Sequence, residues 1–418
     1  MEILLIGNGF DLAHGLPTKY RDFLDFCQGV EILLSEDFSH HRDEKKAIKQ
    51  LIRYDKKLSE SLREDASPQV RSSLISAFYH INGSFIPFTV MQMEEDLRQR
   101  SALQELHALI NPNTWIEYFM QRSSRFRENW IDFESEISSV IQLLDAFHAD
   151  SFSQQVGNGT SVLMENAVRS LLKASNLTLS GPIESILREE ALSSHKAFQG
   201  AATESFINFL NEELVKLIRA LEIYISVFIN NSTIERKNPD IDQLHPDHVL
   251  SFNYSDTYER VYGSGESIKY DYIHGKAELD NTKDSCNLVL GIDEYLDDDR
   301  KNTDLRFLSF KKFYQRIYKS TDSQYWNWID EIKRNEEPST LYIFGHSLDI
   351  TDRDVLQALI CCPHMQTKIF YYRESEDDKQ KLGKLIRNLL LLLGQEELIR
   401  RTSGMNRTIE FIPQTITT

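Results

Sequence analysis

An α/β fold, a doubly wound parallel sheet interrupted by a large all-helical insertion, is the class this sequence predicts. Three observations lead there. Short apolar runs of strand character cluster at the two ends of the chain. Helical periodicity fills the long stretch between them. The first apolar run, Ile3–Ile6, breaks directly into Gly7-Asn8-Gly9, as strands do where a backbone must approach an anion.

Taken in order, Ile3–Ile6 is the first strand. Phe10 to His14 forms a short helical turn stopped by Gly15, its N-terminus aimed at the anion. A side chain at Gly9 would occupy the room that a pyrophosphate needs. The usual dinucleotide fingerprint asks for a third glycine and an acid at the tip of a second strand. Leu12 stands at the glycine position and the next segment reads as helix, so an ordinary dehydrogenase is disfavoured. From about Phe23 to Asn238 strand signals are scarce. Ser205–Asn230 carries the clearest helical stripe, with Phe206, Phe209, Leu210, Leu214, Leu217, Ile218 and Leu221 on one face.

Strand character returns at Val249–Asn253, Tyr270–His274, Asn287–Ile292, Thr340–Phe344, Lys368–Tyr372 and Thr408–Ile412. Each is a short β-branched, aromatic or leucine run, near-continuously apolar in several cases, as buried parallel strands are. Asp352–Ile360 and Asp377–Leu392 supply helical spacing between them. Residues 1–29 and 243–418 are accordingly read as one discontinuous sheet domain, and 30–242 as a helical insertion domain.

Composition narrows the function. The chain has 418 residues and 41% apolar content, enough for two globular domains. No apolar run reaches the 18 or so residues of a membrane span, and Met1 leads straight into a strand without a basic leader segment. Four cysteines without a C-x-x-C pair give neither a disulfide framework nor a zinc site. A soluble, reduced, cytoplasmic protein is expected, with no metal. The net charge of −17, from 64 acidic and 47 basic residues, argues against nucleic acid as the main partner, although Lys45–Lys57 and Lys311–Lys319 are locally basic. Homo-oligomerisation is left open.

The residues with chemical potential sit at strand ends, where α/β sheets place ligands. They are Gly7, Asn8, Gly9, Phe10 and Asp11; Ser251-Phe252-Asn253-Tyr254; Ile273-His274-Gly275; and Phe344-Gly345-His346-Ser347-Leu348-Asp349. If the sheet is parallel, Asn253, His274 and Gly345 converge on the Gly7–Gly9 turn. As single residues they have plainer roles as well. Asn253 is a good helix N-cap, and Asp11 could simply orient the glycine loop.

With these segments on the page, two resemblances stand out. G-N-G-F-D-L-A-H-G-L-P-T-x-Y, the W-x-D-x-E stretch at Trp130–Glu134, S-F-N-Y, I-H-G and F-G-H-S-L-D look like the AbiH family of bacterial abortive phage-infection proteins, from residue 1 to about 372. The order of the sheet segments also resembles the sirtuin-type, Rossmann-like NAD-binding domain: G-A-G-x-S with a nearby G-I-P, T-Q-N-x-D, a His-Gly pair and G-x-S.

The second resemblance implies NAD as substrate, with Gly7 and Gly9 at its pyrophosphate. It implies that Asn253 holds the nicotinamide ribose and an attacking water, that His274 is the base, and that Gly345 and Ser347 lie beside the adenine ribose. Phe252, Ser255 and Asp11 depart from the sirtuin pattern, and the deacetylase cysteine pairs are missing, which speaks against protein deacetylation. Together the resemblances imply an anti-phage protein that hydrolyses NAD on infection, with a phage protein as its expected trigger. The alternatives are a non-catalytic nucleotide-binding sensor and, with less support, a nuclease or RNA-directed toxin. For Trp130, Asp132 and Glu134 the plain account is a helix cap or an inter-domain salt bridge.

Overall fold

The computed structural model describes residues 1–34, 53, 55–62, 65–82, 101–125, 132–148, 201–232, 234, 237–263, 267–296, 299–321, 323–336, 338–405 and 407–416. Six strands form one sheet: β1 (Glu2–Ile6), β2 (His248–Ser251), β3 (Lys269–Tyr272), β4 (Ser339–Phe344), β5 (Met365–Tyr371) and β6 (Ile409–Pro413). Their spatial order is β3-β2-β1-β4-β5-β6, and every pairing is parallel. Strand order reverses direction on either side of β1, so the crevice between β1 and β4 is a topological switch point, where open α/β sheets place ligands.

Ile3 to Ile6 are apolar at every position because the sheet is covered on both faces. Ile3 and Leu5 face one layer with Leu250, Leu341, Ile343 and Ile369. Leu4 and Ile6 face the other with Val249, Tyr342, Phe344 and Phe370. The first layer is closed by α10 (Tyr325–Asn335), α11 (Arg353–Ile360) and α12 (Gln380–Leu393). In α10, buried Tyr325, Trp328, Ile329 and Ile332 repeat at three and four residues and make one apolar stripe. The opposite layer rests on Phe10 of α1 (Asn8–Ala13), Ile241 of α7 (Pro239–Asp242) and Tyr258 of α8 (Thr257–Tyr262).

Five further helices pack around a core of their own. They are α2 (Tyr20–Leu34), α3 (Pro68–Asn82), α4 (Thr114–Arg125), α5 (Phe133–His148) and α6 (Ala201–Ile223), the last continuing as a π-helical turn over Tyr224–Ile229. Phe119 and Phe133 stack at 4.0 Å, and Tyr20 stacks on Phe133 at 4.3 Å. Among the described residues of 30–242 every regular element is helical. The division read at residue 30 falls inside α2, whose Phe23, Phe26 and Cys27 already belong to this core. No described helix is long and apolar enough to cross a membrane.

One strand assignment is corrected. Asn287–Ile292 is not in the sheet; it is a buried extended segment with a single bridge, between Ile292 and Lys311. The Leu290 amide donates to Gln315 Oε1 at 3.0 Å, and the Ile292 amide donates to the Phe310 carbonyl at 2.8 Å. Leu288, Leu290 and Ile292 point into the helical core, so the run is apolar for the same reason a strand would be. Lys311–Lys319 is no solvated basic patch either, because Lys311 and Lys312 are both buried. They lie at the start of α9 (Lys312–Tyr318).

Candidate functional site

β3, β2, β1 and β4 are neighbours in the sheet, so their carboxyl ends bring four loops side by side. Asn253 Nδ2 donates to the Gly7 carbonyl at 3.1 Å. The Gly9 amide donates to the Gly345 carbonyl at 2.8 Å, and the Gly7 amide to Phe344 at 3.1 Å. The Phe252 ring meets His274 edge-on at 5.4 Å and His346 at 4.4 Å. Gly7, Gly9, Asn253, His274 and Gly345 therefore lie in one contiguous cluster at the switch point.

The glycines have a packing reason. A Cβ on Gly9 would come within 2.7 Å of Gly345 Cα, and one on Gly7 within 2.8 Å of His346 Cα. Gly345 itself has φ +70°, a conformation that glycine adopts without strain. The room that a side chain at position 9 would fill is therefore held by the β4 loop rather than by an open anion site. Gly9→Val is expected to lower stability by about 1–3 kcal/mol, as overpacked sites do, with the loss visible in urea unfolding without any ligand. An unchanged midpoint would contradict this packing.

The neighbouring positions divide. Asn8 Oδ1 accepts from Thr18 Oγ1 at 2.6 Å, tying the turn to the loop that follows α1. Phe10 is fully buried, with its ring among Tyr258, Tyr262, Phe344 and His14, so it is a core residue under the turn. Ser347 is exposed, and its carbonyl accepts from Asn388 Nδ2 of α12 at 2.9 Å.

Asp11 is buried and accepts from Ser255 Oγ at 2.6 Å, while its Oδ1 has no hydrogen-bond partner. The loops after β1 and β2 thus touch through this acid and hydroxyl. Burial raises the Asp11 carboxyl to about 6, against the pull of Ser255, Thr257 and Arg260. A carboxyl whose folded value lies above its unfolded 3.8 binds its proton more tightly when folded, so stability falls as pH rises between about 4 and 6. The shift corresponds to about 3 kcal/mol. Asp11→Asn should flatten this slope in denaturation series from about pH 4 to pH 7; an unaltered slope would rule out Asp11 as its source.

The densest chemistry lies one step further along the sheet edge. His274 is buried, and its Nε2 is 3.2 Å from Asp352 Oδ1, short of hydrogen-bond alignment and without another partner. His346 Nε2 lies 3.5 Å from Asp352 Oδ2. The Leu348 amide donates to His346 Nδ1 at 2.9 Å, so the neutral ring carries its proton on Nε2, facing Asp352. Lys312 Nζ bridges Asp352 Oδ1 at 3.0 Å and Glu134 Oε2 at 2.7 Å. Tyr254 closes the group, its ring 6.3 Å from His274 and its hydroxyl donating to the Val289 carbonyl at 2.8 Å.

The electrostatics follow from burial and pairing. Burial lowers His274, and Lys312 adds to the effect, so the ring is neutral near pH 7 and free to accept a proton. Burial works to raise Asp352, yet Lys312 and the two histidines outweigh it and hold the carboxylate ionised. Burial raises Glu134 despite Lys312. The Lys312 ammonium fills the place between the two acids that a cation would take, and His346 presents an N–H to Asp352. The cluster is thus a poor metal cage, and the described residues hold no other candidate group.

Lys312 and Asp352 were not among the residues singled out from sequence, and Tyr254 and His346 were named there only as members of strand-end motifs, with no role of their own. Asp352 read as the start of a helix and Lys312 as part of a basic run. Asp132 caps α5, accepting from the Glu134 amide at 3.1 Å and from Ser135 Oγ at 2.7 Å. Glu134 is the residue that reaches from the helical core to the sheet. Trp130 lies outside the described residues.

No curated protein and no solved structure matches the chain. A family model does: Bacteriophage abortive infection AbiH, over residues 3–372, a span that takes in β1 to β5 and every residue of the cluster. On a match of that extent, the chain belongs to the AbiH family of bacteriophage abortive infection proteins.

Proposed function

We propose that the protein serves phage defence by binding NAD at the carboxyl edge of a Rossmann-like, sirtuin-like sheet domain and hydrolysing its nicotinamide–ribose bond. In this reading residues 1–29 and 243–418 form the nucleotide domain, and the helical insertion of 30–242 receives the infection signal, with a phage protein as the trigger. The observation that carries it is the meeting of Asn253, His274, Gly7, Gly9 and Gly345 at one switch point.

The chemistry asks little more than these groups offer. The ribose C1′–nitrogen bond breaks with its electron pair moving onto the pyridinium nitrogen, which leaves as neutral nicotinamide. Water held by Asn253 forms the new C1′–oxygen bond and passes its proton to neutral His274. The oxocarbenium-like transition state gains from a dry, preorganised site. Phe252, the buried neighbour of both histidines, keeps that edge apolar.

Incubating purified protein with NAD and following free nicotinamide and ADP-ribose, with and without phage lysate, tests the reading directly. A second reading, a nucleotide sensor without turnover, draws on the loop contacts. The Gly7 and Gly9 amides and the Asn253 side chain already have intramolecular partners. Calorimetric NAD binding with no nicotinamide release under either condition would favour that sensor.

A further inference from the structure

Asp352 stands where three elements meet. It follows β4, it faces His274 after β3 and His346 in the β4 loop, and it is bridged through Lys312 to Glu134 of α5. Lys312 Nζ donates to Oδ1, and two imidazole nitrogens are turned toward the carboxylate, His274 Nε2 at 3.2 Å from Oδ1 and His346 Nε2 at 3.5 Å from Oδ2. His346 has no choice of tautomer, because its Nδ1 is taken by the Leu348 amide. Lys312 can only donate. An ionised carboxylate in this position therefore favours an N–H on every histidine nitrogen turned toward it.

We infer that Asp352 is the positioning residue of the site: it fixes His274 with its proton on Nε2 and so leaves Nδ1 as the nitrogen that accepts a proton. Lys312 keeps Asp352 ionised, and Glu134 balances the second half of the Lys312 charge. The activity part of this inference rests on the NAD-cleavage reading; the tautomer part does not. The charged and titratable groups around His274 are Lys312 and Arg316 of α9, Asp352 and His346 after β4, Tyr254 after β2, and Glu134 through Lys312. Lys312 and Arg316 oppose a positive charge on the ring, and Asp352 favours one.

Asp352→Asn separates these roles without stranding a charge, because Lys312 keeps Glu134 as its counter-ion. The asparagine keeps an acceptor oxygen on the side that Lys312 and His274 Nε2 share, and its amide turns toward His346. His274 therefore keeps Nε2–H but loses the carboxylate charge that favoured its imidazolium. Full-length protein labelled with ¹⁵N-histidine reports this directly, since N–H and bare imidazole nitrogens resonate far apart. The His274 signals are assigned by their loss in His274→Gln.

Nε2–H and bare Nδ1 are expected around neutral pH in the wild type and in Asp352→Asn, but the ring should take up its second proton at lower pH in the variant. Nicotinamide release should fall roughly 10–100-fold in kcat with KM little changed, as loss of an orienting partner does. The acid limb of its pH profile should move to lower pH, because the carboxylate that favoured the imidazolium is gone. A wild-type His274 protonated on Nδ1 overturns the inference without any variant, and so does a titration of the ring that is unchanged in Asp352→Asn. An Nε2–H tautomer whose titration moves in Asp352→Asn while neither protein releases nicotinamide, lysate included, upholds Asp352 as positioning residue and overturns NAD cleavage instead.

Discussion

Replacing His274 with alanine is expected to reduce nicotinamide release about 10²–10⁴-fold, the usual cost of removing a general base. The loss belongs in kcat, because in the proposed reaction the imidazole acts on a water proton in the transition state and contributes little to ground-state binding. NAD affinity, measured by calorimetry, should stay within a few fold. Growth arrest on infection should disappear in cells carrying the variant. The side chain is buried beside Phe252, so a modest drop in melting temperature is expected too, and it must be measured alongside. Full toxicity from a folded His274→Ala protein would remove His274 from the chemistry and leave the sensor reading.

Lys312→Met is expected to have the largest effect on stability. The ammonium is 3% exposed at its side chain and is the shared counter-ion of Glu134 and Asp352. Methionine matches much of its length, yet it leaves two buried carboxylates facing each other. Removing one partner of a buried ion pair costs about 3–5 kcal/mol. Part of the cost is recovered at low pH, where the acids take up protons, so the deficit should shrink as pH falls below about 5. Urea unfolding at two pH values measures both the size and the sign. A deficit below about 1 kcal/mol would mean that water already solvates this cluster, since exposed pairs contribute no more than that.

The sheet was legible because its central strands, β1, β2 and β4, are buried on both faces, which leaves short, largely apolar runs between polar turns. The same signature misled at Asn287–Ile292. That segment is as apolar as a strand because Leu288, Leu290 and Ile292 enter the helical core, while Gln315 and the Phe310 carbonyl take up amides that a neighbouring strand would have paired. Periodicity reports which side chains are buried, not what the backbone bonds to.

At the site, Asn253, His274 and the glycines were visible because they stand at strand ends within short motifs. Glu134 was named, with an inter-domain salt bridge as its plain account, but Lys312 and Asp352 were not, since their meaning lies in a contact between residues 134, 312 and 352, and in a chain with 27% charged residues a single Lys or Asp carries no signal. The glycines were found for a reason that the structure changes: they admit another loop, Gly345–His346, at less than normal side-chain distance.

The placement of β1 has a consequence for how the chain comes into being. It lies third from one edge of the sheet, yet its two neighbours are supplied by His248–Ser251 and Ser339–Phe344. At ribosomal speeds of about 5–20 residues per second, the first of them emerges roughly tens of seconds after β1 and the second later still. Through that interval four consecutive apolar residues, Ile3 to Ile6, have no strand to join, while the helices between are already being made. Local helical contacts form fast and distant parallel pairings slowly. The nascent protein thus waits with its central strand unpaired, a stage at which a holding chaperone has most to grip and at which slowed synthesis or heat does most harm.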